Sequence, residues 1–319
     1  MEENLEISHL KTFLEEGREY LSSNLNFIIL GGEQLLVKDK VLEIAKLGQK
    51  RKQEVIVSTN GTLIDSKFAQ IAKKFNLIVQ VSLEGAEKET NDKIRGKNSY
   101  ERIIEGIKIL VAHRVYTIIS MVVHEGNFSE MDSFSKLGIE LGVTEVRFIP
   151  LKIMGNARKN NLQAVSLTQI IKEINQIIQY NRNTERLFKR DIFSTMKNLC
   201  RVSQKRPYCG TGLNTILIDA DGQIYPCPNH LLPEFSSGNI REQSFKEIWL
   251  SSSQFLNLRE DYHINRNHDC KECPVKYWCL GGCRGETYEN TLSLNSKSIT
   301  CKDNFAAIIE TFWYLSELN

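Results

Sequence analysis

The sequence predicts an α/β protein: a parallel sheet or partial barrel in the first half, then a loop-rich region organised by thiols. Two observations carry this. Short segments rich in Val, Ile and Phe alternate with helix-periodic segments between residues 26 and 150. Strand, helix, strand at that rhythm implies parallel pairing with right-handed crossovers. All eight cysteines lie from Cys200 onward, where the rhythm has stopped.

In chain order, "NFIIL" (26–30), "EVIVS" (54–58), "LIVQVS" (77–82), "YTIISMVV" (116–123) and "EVRFIP" (145–150) are the expected strands. Between them, "VLEIAKLGQK", "SKFAQIAKKF", "YERIIEGIKILVAH" and "FSEMDSFSKLGIELG" repeat their apolar residues at helical spacing. Helical stretches are expected from Leu167 to about Leu199. Beyond them Gly and Pro punctuate the chain, and "TILIDADGQIYPC" predicts a hairpin turning at Asp221-Gly222. The apolar periodicity of this second half is weak, so bound metal is expected to supply folding energy there. The expected domains are 1–195 and 196–319. No repeat of fixed period and no low-complexity segment occurs.

With 319 residues the chain can bury a sizeable core. A net charge of +2, from 41 Lys and Arg against 39 Asp and Glu, carries no polyanion-binding signature, so no nucleic-acid partner is expected. No apolar run approaches the roughly 20 residues of a membrane span. The N-terminus is acidic and polar, unlike a signal peptide. A cytoplasmic location without membrane association is the expectation.

Eight cysteines concentrated in the last 120 positions of such a chain point to metal or redox chemistry rather than structural bridges. They are Cys200, Cys209, Cys227, Cys270, Cys273, Cys279, Cys283 and Cys301. Zinc and iron–sulfur clusters both take thiolates, and the ligand type does not separate them. Zinc modules usually show two CxxC knuckles. Here only Cys270-x2-Cys273 is one, followed by gaps of five and three residues. Both readings stay open on spacing alone.

The order Cys209-x12-Gly222-x4-Cys227, then Cys270-x2-Cys273-x5-Cys279-x3-Cys283 and Cys301, resembles the seven-cysteine signature of the SPASM domain. That domain is the C-terminal extension of many radical SAM enzymes. The resemblance implies one auxiliary 4Fe–4S cluster on Cys270, Cys273, Cys279 and Cys301, and a second on Cys209, Cys227 and Cys283. Cys200, outside the seven, would complete the second, with a buried free thiol as the alternative.

The first half resembles the same family. "ILGGEQLL" is similar to its GGEP strand end: Gly31 and Gly32 would let backbone approach the methionine amino group of S-adenosyl-L-methionine (SAM), and Glu33 would accept from it. Gln34 stands where the family usually has Pro. "VSTNGTLID" is similar to the second strand end, with Thr59, Asn60 and Gly61 facing the site. "VSLEGAEKETNDKIRG" is similar to the SLDG…RG segment, with Glu84 in the usual Asp position. Ser82 would contact SAM, and Arg95 would pair with its carboxylate through charge-assisted hydrogen bonds. His124 and Arg147, near later strand ends, are suggestive only.

The family's CxxxCxxC loop, which holds the SAM-cleaving cluster, does not occur in these residues, since no cysteine precedes Cys200. The expected fold is therefore a partial (β/α) barrel of the radical SAM type lacking its first strand, plus a SPASM domain. The implied function is a maturase acting on a ribosomal peptide or protein through a 5′-deoxyadenosyl radical, with a reductant such as flavodoxin or ferredoxin. The chain is expected to be a fragment, with SAM binding weak without the missing cluster. The alternative is a catalytically inactive iron–sulfur or zinc module that binds a peptide or transfers electrons.

Overall fold

The computed structural model describes residues 5–21, 25–189, 209–261 and 263–317. The chain divides into two compact units: Ser23–Cys200 with Ile309–Asn319, and Met1–Ser22 with Arg201–Ile308. Helix α1 (Ile7–Glu16) belongs to the second.

The first unit is built on five strands, β1 (Phe27–Ile29), β2 (Val55–Thr59), β3 (Ile78–Ser82), β4 (Tyr116–Val123) and β5 (Glu145–Pro150). They pair in sequence order, every neighbour parallel. Parallel neighbours need crossovers, and helices supply them: α2 (Lys38–Arg51), α3 (Ser66–Lys74), α4 (Lys88–Arg95) with α5 (Ser99–Ala112), and α6 (Met131–Leu141). Asp65 starts α3 by accepting from the Phe68 N–H at 2.7 Å, with Lys38 Nζ 2.6 Å from its other oxygen. Helix α7 (Gly155–Lys159) and α8 (Leu167–Tyr180) follow the sheet, α8 opening on a Ser166/Gln169 capping box.

Side chains alternate across each strand, which separates two faces. Val57, Val79, Val81, Ile119, Met121 and Val146 are fully buried. Glycine contacts show that helices cover this face: a Cβ on Gly48 of α2 would meet Val55 at 2.2 Å, and one on Gly138 of α6 would meet Val146 at 2.6 Å. Ile56, Ile78 and Ile118 form a cluster on the other face, with Tyr116 packed against it. Further along that face the residues turn polar. Gln80 Nε2 donates to Ser120 Oγ at 3.2 Å, and Arg147 Nη1 donates to Gln80 Oε1 at 2.5 Å. The face is thus apolar near the strand starts and polar toward their ends, where barrel-type folds place chemistry.

The second unit has an apolar core that the weak periodicity of the second half does not announce. Phe13, Ile224, Ile240, Phe245, Ile248 and Phe255 are buried together, with Leu5, Leu21 and Trp249 against them. Phe13 and Phe245 rings stand 5.0 Å apart, and Glu16 accepts from the Phe245 N–H at 2.9 Å. The core is invisible in the second half's own periodicity because part of it comes from α1, over 200 residues away. The expected hairpin is present as antiparallel β6 (Leu217–Ile218) and β7 (Ile224–Tyr225), turning through Gly222 at φ +89°.

The expected boundary at 195/196 lies outside the described residues. The partition departs from it at both termini: residues 1–22 join the cysteine-bearing unit, and the last helix, Cys301–Glu317, starts in that unit and ends in the sheet unit. The expected helical bridge is present in α8 and continues only as a short 3-10 turn, Arg182–Leu187. The rest of that bridge, from residue 190, lies outside the described residues.

Candidate functional site

Gly31 and Gly32 follow β1 with φ of +92° and +48°. A Cβ on either would meet nothing within 4 Å, so the backbone here borders open space. Glu33, next in line, caps the following turn by accepting from the Leu35 N–H at 3.0 Å. Its carboxylate also accepts from Thr59 Oγ1 at 2.7 Å and from the Asn60 N–H at 2.9 Å. The GGE and TNG segments therefore meet at one carboxylate. Asn60 Oδ1 accepts from both the N–H (2.9 Å) and hydroxyl (2.7 Å) of Thr62, which fixes the turn after β2. Gly61, at φ +80°, lets that turn lie against Val81 and Ile103. Gln34 is buried and donates to the Gly31 carbonyl. A side-chain hydrogen bond thus holds the turn that Pro would restrict elsewhere.

Ser82 closes β3, in register with Ser120 of β4. Arg95 is engaged within the chain: its Nε lies 3.1 Å from Glu84 Oε1, and its Nη2 donates to the same oxygen. Glu84 is 4% exposed and its other oxygen accepts from the Val122 N–H at 3.1 Å. A family-typical Asp would fall a methylene short of this reach. The RG turn after Arg95 is tied down by Asp92, which accepts from the N–H groups of Asn98 (2.8 Å) and Tyr100 (2.9 Å) and the hydroxyl of Ser99 (3.0 Å).

His124, beyond the end of β4, is buried; its Nδ1 accepts from the Gly126 N–H at 3.0 Å, and its Nε2 is itself buried. Burial depresses its pKa, with Glu84 opposing and Lys93 adding to the shift. A neutral imidazole follows, locked into the loop. Arg147 is in register with Ser120 and Ser82, and Gln80, two residues before Ser82 on β3, hydrogen-bonds both Arg147 and Ser120. Arg147 was noted from sequence but its partners Gln80 and Ser120 were missed; their signal is polar residues at alternate positions of neighbouring apolar strands.

The seven described cysteines fall into two sets. Cys270, Cys273, Cys279 and Cys301 line one cavity of about 400 Å3, together with Gly281, Ser298 and Phe305. Burial pushes Cys279 up to about 11, against N–H groups of Gly281 and Gly282 that lower it, and Cys270 and Cys301 raise it further. Burial also raises Cys270, whose thiol neighbours are Cys301 and Cys273. In the other set, burial raises Cys227, and its thiol neighbours are Cys283 and Cys209. Cys200 lies outside the described residues.

The backbone explains how adjacent cysteines reach different sets. Leu280, Gly281 and Gly282 are all left-handed, at φ +53°, +75° and +76°. Successive N–H groups in such turns form a concavity that favours anions, here the Cys279 sulfur. The reversal then delivers Cys283 as N-cap of the helix Arg284–Thr291. Gly282 needs its missing Cβ, since one would sit 2.7 Å from Ser298 Oγ. Thiols spread around a cavity of this size, with N–H donors directed at sulfur, fit a 4Fe–4S cluster. Two neighbours went unnoticed in sequence: Asn229, whose Nδ2 is 3.4 Å from Cys283 Sγ, and His230, whose Nδ1 is 3.0 Å from Cys227 Sγ.

The family model of the Radical SAM superfamily matches residues 9–137, and that of SPASM, an iron-sulfur cluster-binding domain, matches residues 209–274. The chain is similar to the cysteine-type anaerobic sulfatase-maturating enzyme of Clostridium novyi (strain NT), 25% identical over 96% of this chain and 85% of the relative. It is also similar to mycofactocin maturase MftC of Mycobacterium tuberculosis (strain CDC 1551 / Oshkosh), 27% identical over 86% and 70%. Among solved structures, native anSMEcpe with bound AdoMet and Cp18Cys peptide superposes with a TM-score of 0.79 at 19% identity, covering 98% of this chain and 91% of that one.

Proposed function

From a chain that carries a radical SAM domain followed by a SPASM iron–sulfur domain, we infer a role in a maturase reaction that modifies a ribosomal peptide or protein. The observation that carries this reading is the order of sites. A parallel sheet with hydrogen-bonded GGE and TNG strand ends precedes two separate thiol sets. The similar proteins from Clostridium novyi and Mycobacterium tuberculosis are themselves named as maturing or maturase enzymes, which supports it.

In this reading Gly31 and Gly32 offer backbone to SAM, and Glu33, held by Thr59 and Asn60, presents an oriented carboxylate. Gly61 allows the close turn beside it. Ser82 adds a hydroxyl at the neighbouring strand end. Arg95 serves the SAM carboxylate only by loosening from Glu84, or acts indirectly by holding Glu84. Cys270, Cys273, Cys279 and Cys301 hold one auxiliary 4Fe–4S cluster; Cys209, Cys227 and Cys283, with Cys200, hold the other. Bound SAM, reduced by a family-type cluster, would supply a 5′-deoxyadenosyl radical that abstracts hydrogen from the peptide, and the auxiliary clusters would take up an electron. The protein positions and insulates that chemistry. Its partners are the peptide and a flavodoxin- or ferredoxin-like reductant, in the cytoplasm. No nucleic acid or membrane takes part, and no described helix is long and apolar enough to cross a membrane.

One observation favours the second reading, a non-catalytic peptide-binding or electron-transfer module: no CxxxCxxC occurs in these 319 residues. Incubating reconstituted protein with SAM and dithionite separates the two. These residues alone are expected to give no 5′-deoxyadenosine and SAM binding weaker than micromolar, a level worth about 8 kcal/mol. Adding a polypeptide that carries the CxxxCxxC loop and its strand is expected to bring 5′-deoxyadenosine above background. Failure to do so with both auxiliary clusters loaded supports the module.

A further inference from the structure

We propose that His230 is a positioning residue of the three-thiol set, donating a hydrogen bond from Nδ1 to the Cys227 thiolate and raising the reduction potential of the cluster held there. The inference rests on the reading of Cys209, Cys227 and Cys283 as cluster ligands. It adds a residue outside the cysteine signature.

His230 is 1% exposed and stands three residues after Cys227, in "CPNH". Its Nδ1 lies 3.0 Å from Cys227 Sγ. A metal-bound cysteine carries no proton, so the hydrogen between these atoms belongs to the imidazole, and Nδ1 is the donor. The ring cannot swing away easily. It packs edge-on against Phe235 with centroids 4.7 Å apart, and Phe235 in turn packs on Tyr288 of the helix Arg284–Thr291 at 4.8 Å.

The same loop carries further donors. The Asn229 N–H lies 3.3 Å from Cys227 Sγ, and Asn229 Nδ2 lies 3.4 Å from Cys283 Sγ. One short segment thus reaches two of the three thiols. Its approach depends on Gly285, where a Cβ would come within 1.9 Å of the Asn229 carbonyl oxygen. Hydrogen bonds to cluster sulfurs are among the levers that set the potential. A donor offsets negative charge at sulfur, and the reduced cluster carries one more negative charge than the oxidised one. The donor therefore favours reduction. It suits a cluster that accepts an electron from a bound intermediate.

The test is an EPR-monitored redox titration of the anaerobically reconstituted chain, read with its iron and sulfide content. His230→Leu, which removes the donor, is expected to lower one of the two midpoint potentials and leave the other in place. His230→Asn, whose Nδ2 falls near the place of Nδ1, is expected to recover much of the shift. Unmoved potentials in a fully loaded His230→Leu protein overturn the inference, as do equal shifts in both variants. Should His230→Leu lose iron, the unaltered protein labelled with 15N-histidine decides. Pulsed EPR of the reduced cluster is expected to show a weak 15N coupling. A ligand-strength coupling, or none, overturns the proposal. A wild-type protein that loads no iron instead removes the cluster reading itself.

Discussion

Glu84 and Arg95 form the most enclosed ion pair at the strand ends, with side-chain exposures of 5% and 26%. Removing one partner of such a pair strands a desolvated charge, which costs more than the pair contributes. Arg95→Ala should lower stability by about 2–3 kcal/mol, less than for a fully buried pair because Arg95 keeps some water. Glu84→Gln in the same chain should recover part of that loss. Urea unfolding of the single and double variants reads both, and additive losses would show that the two residues do not interact. Asp92 makes a second prediction. Partial withdrawal from water would raise its carboxyl, but donors from Tyr100, Lys88, Asn98 and Ser99 hold it well below the usual carboxylate range. A depressed carboxyl contributes stability above its ordinary pKa of 3.8 and loses it as pH falls through the lower folded value. Thermal midpoints from pH about 5 to about 2 should fall more steeply for the native chain than for Asp92→Asn. Parallel curves would contradict it. At this scale the sequence named Glu33, Thr59, Asn60 and Arg95 but not their pairing. Motif residues show which side chains matter, while Thr59 reaching Glu33 needs the parallel register of β1 and β2. His230 and Asn229 had a legible signal in their nearness to Cys227. The Gln80–Ser120–Arg147 row had only a weak one.

The elements were the most legible level. Strands β4 and β5 match the expected segments residue for residue, and β1 to β3 lie within a residue or two of theirs. Buried parallel strands write themselves as β-branched runs, because both faces avoid water. Helix α1 was the exception. Read along the chain, it belongs with the sheet that follows; in space its Phe13 lies in the core of the cysteine-bearing unit. No local period reports a partner more than 200 residues distant. Truncating Phe13, 2% exposed, should cost roughly 3–5 kcal/mol and should fall on that unit. Trp249, packed on the same cluster, gives the readout. Phe13→Ala should shift the urea midpoint of a Trp249-sensitive near-ultraviolet signal downward. An unchanged midpoint would detach α1 from that core.

For the whole molecule, two units divide the work. The sheet unit offers strand ends with an oriented carboxylate beside exposed glycines, and the other sorts its thiols into two groups. Both were legible as motifs, the thiol sets through the resemblance of the cysteine order to the SPASM signature. What spacing left open was the choice between zinc and iron–sulfur, and the left-handed Leu280–Gly282 reversal behind the sorting lies in φ angles rather than in composition. The central claim is that these residues hold two auxiliary clusters. Its most direct test is iron, sulfide and zinc per chain after anaerobic purification and reconstitution. About eight iron and eight sulfide, the sum for two four-iron clusters, is the predicted result. About two zinc with little sulfide would contradict it and make the second unit a structural zinc module.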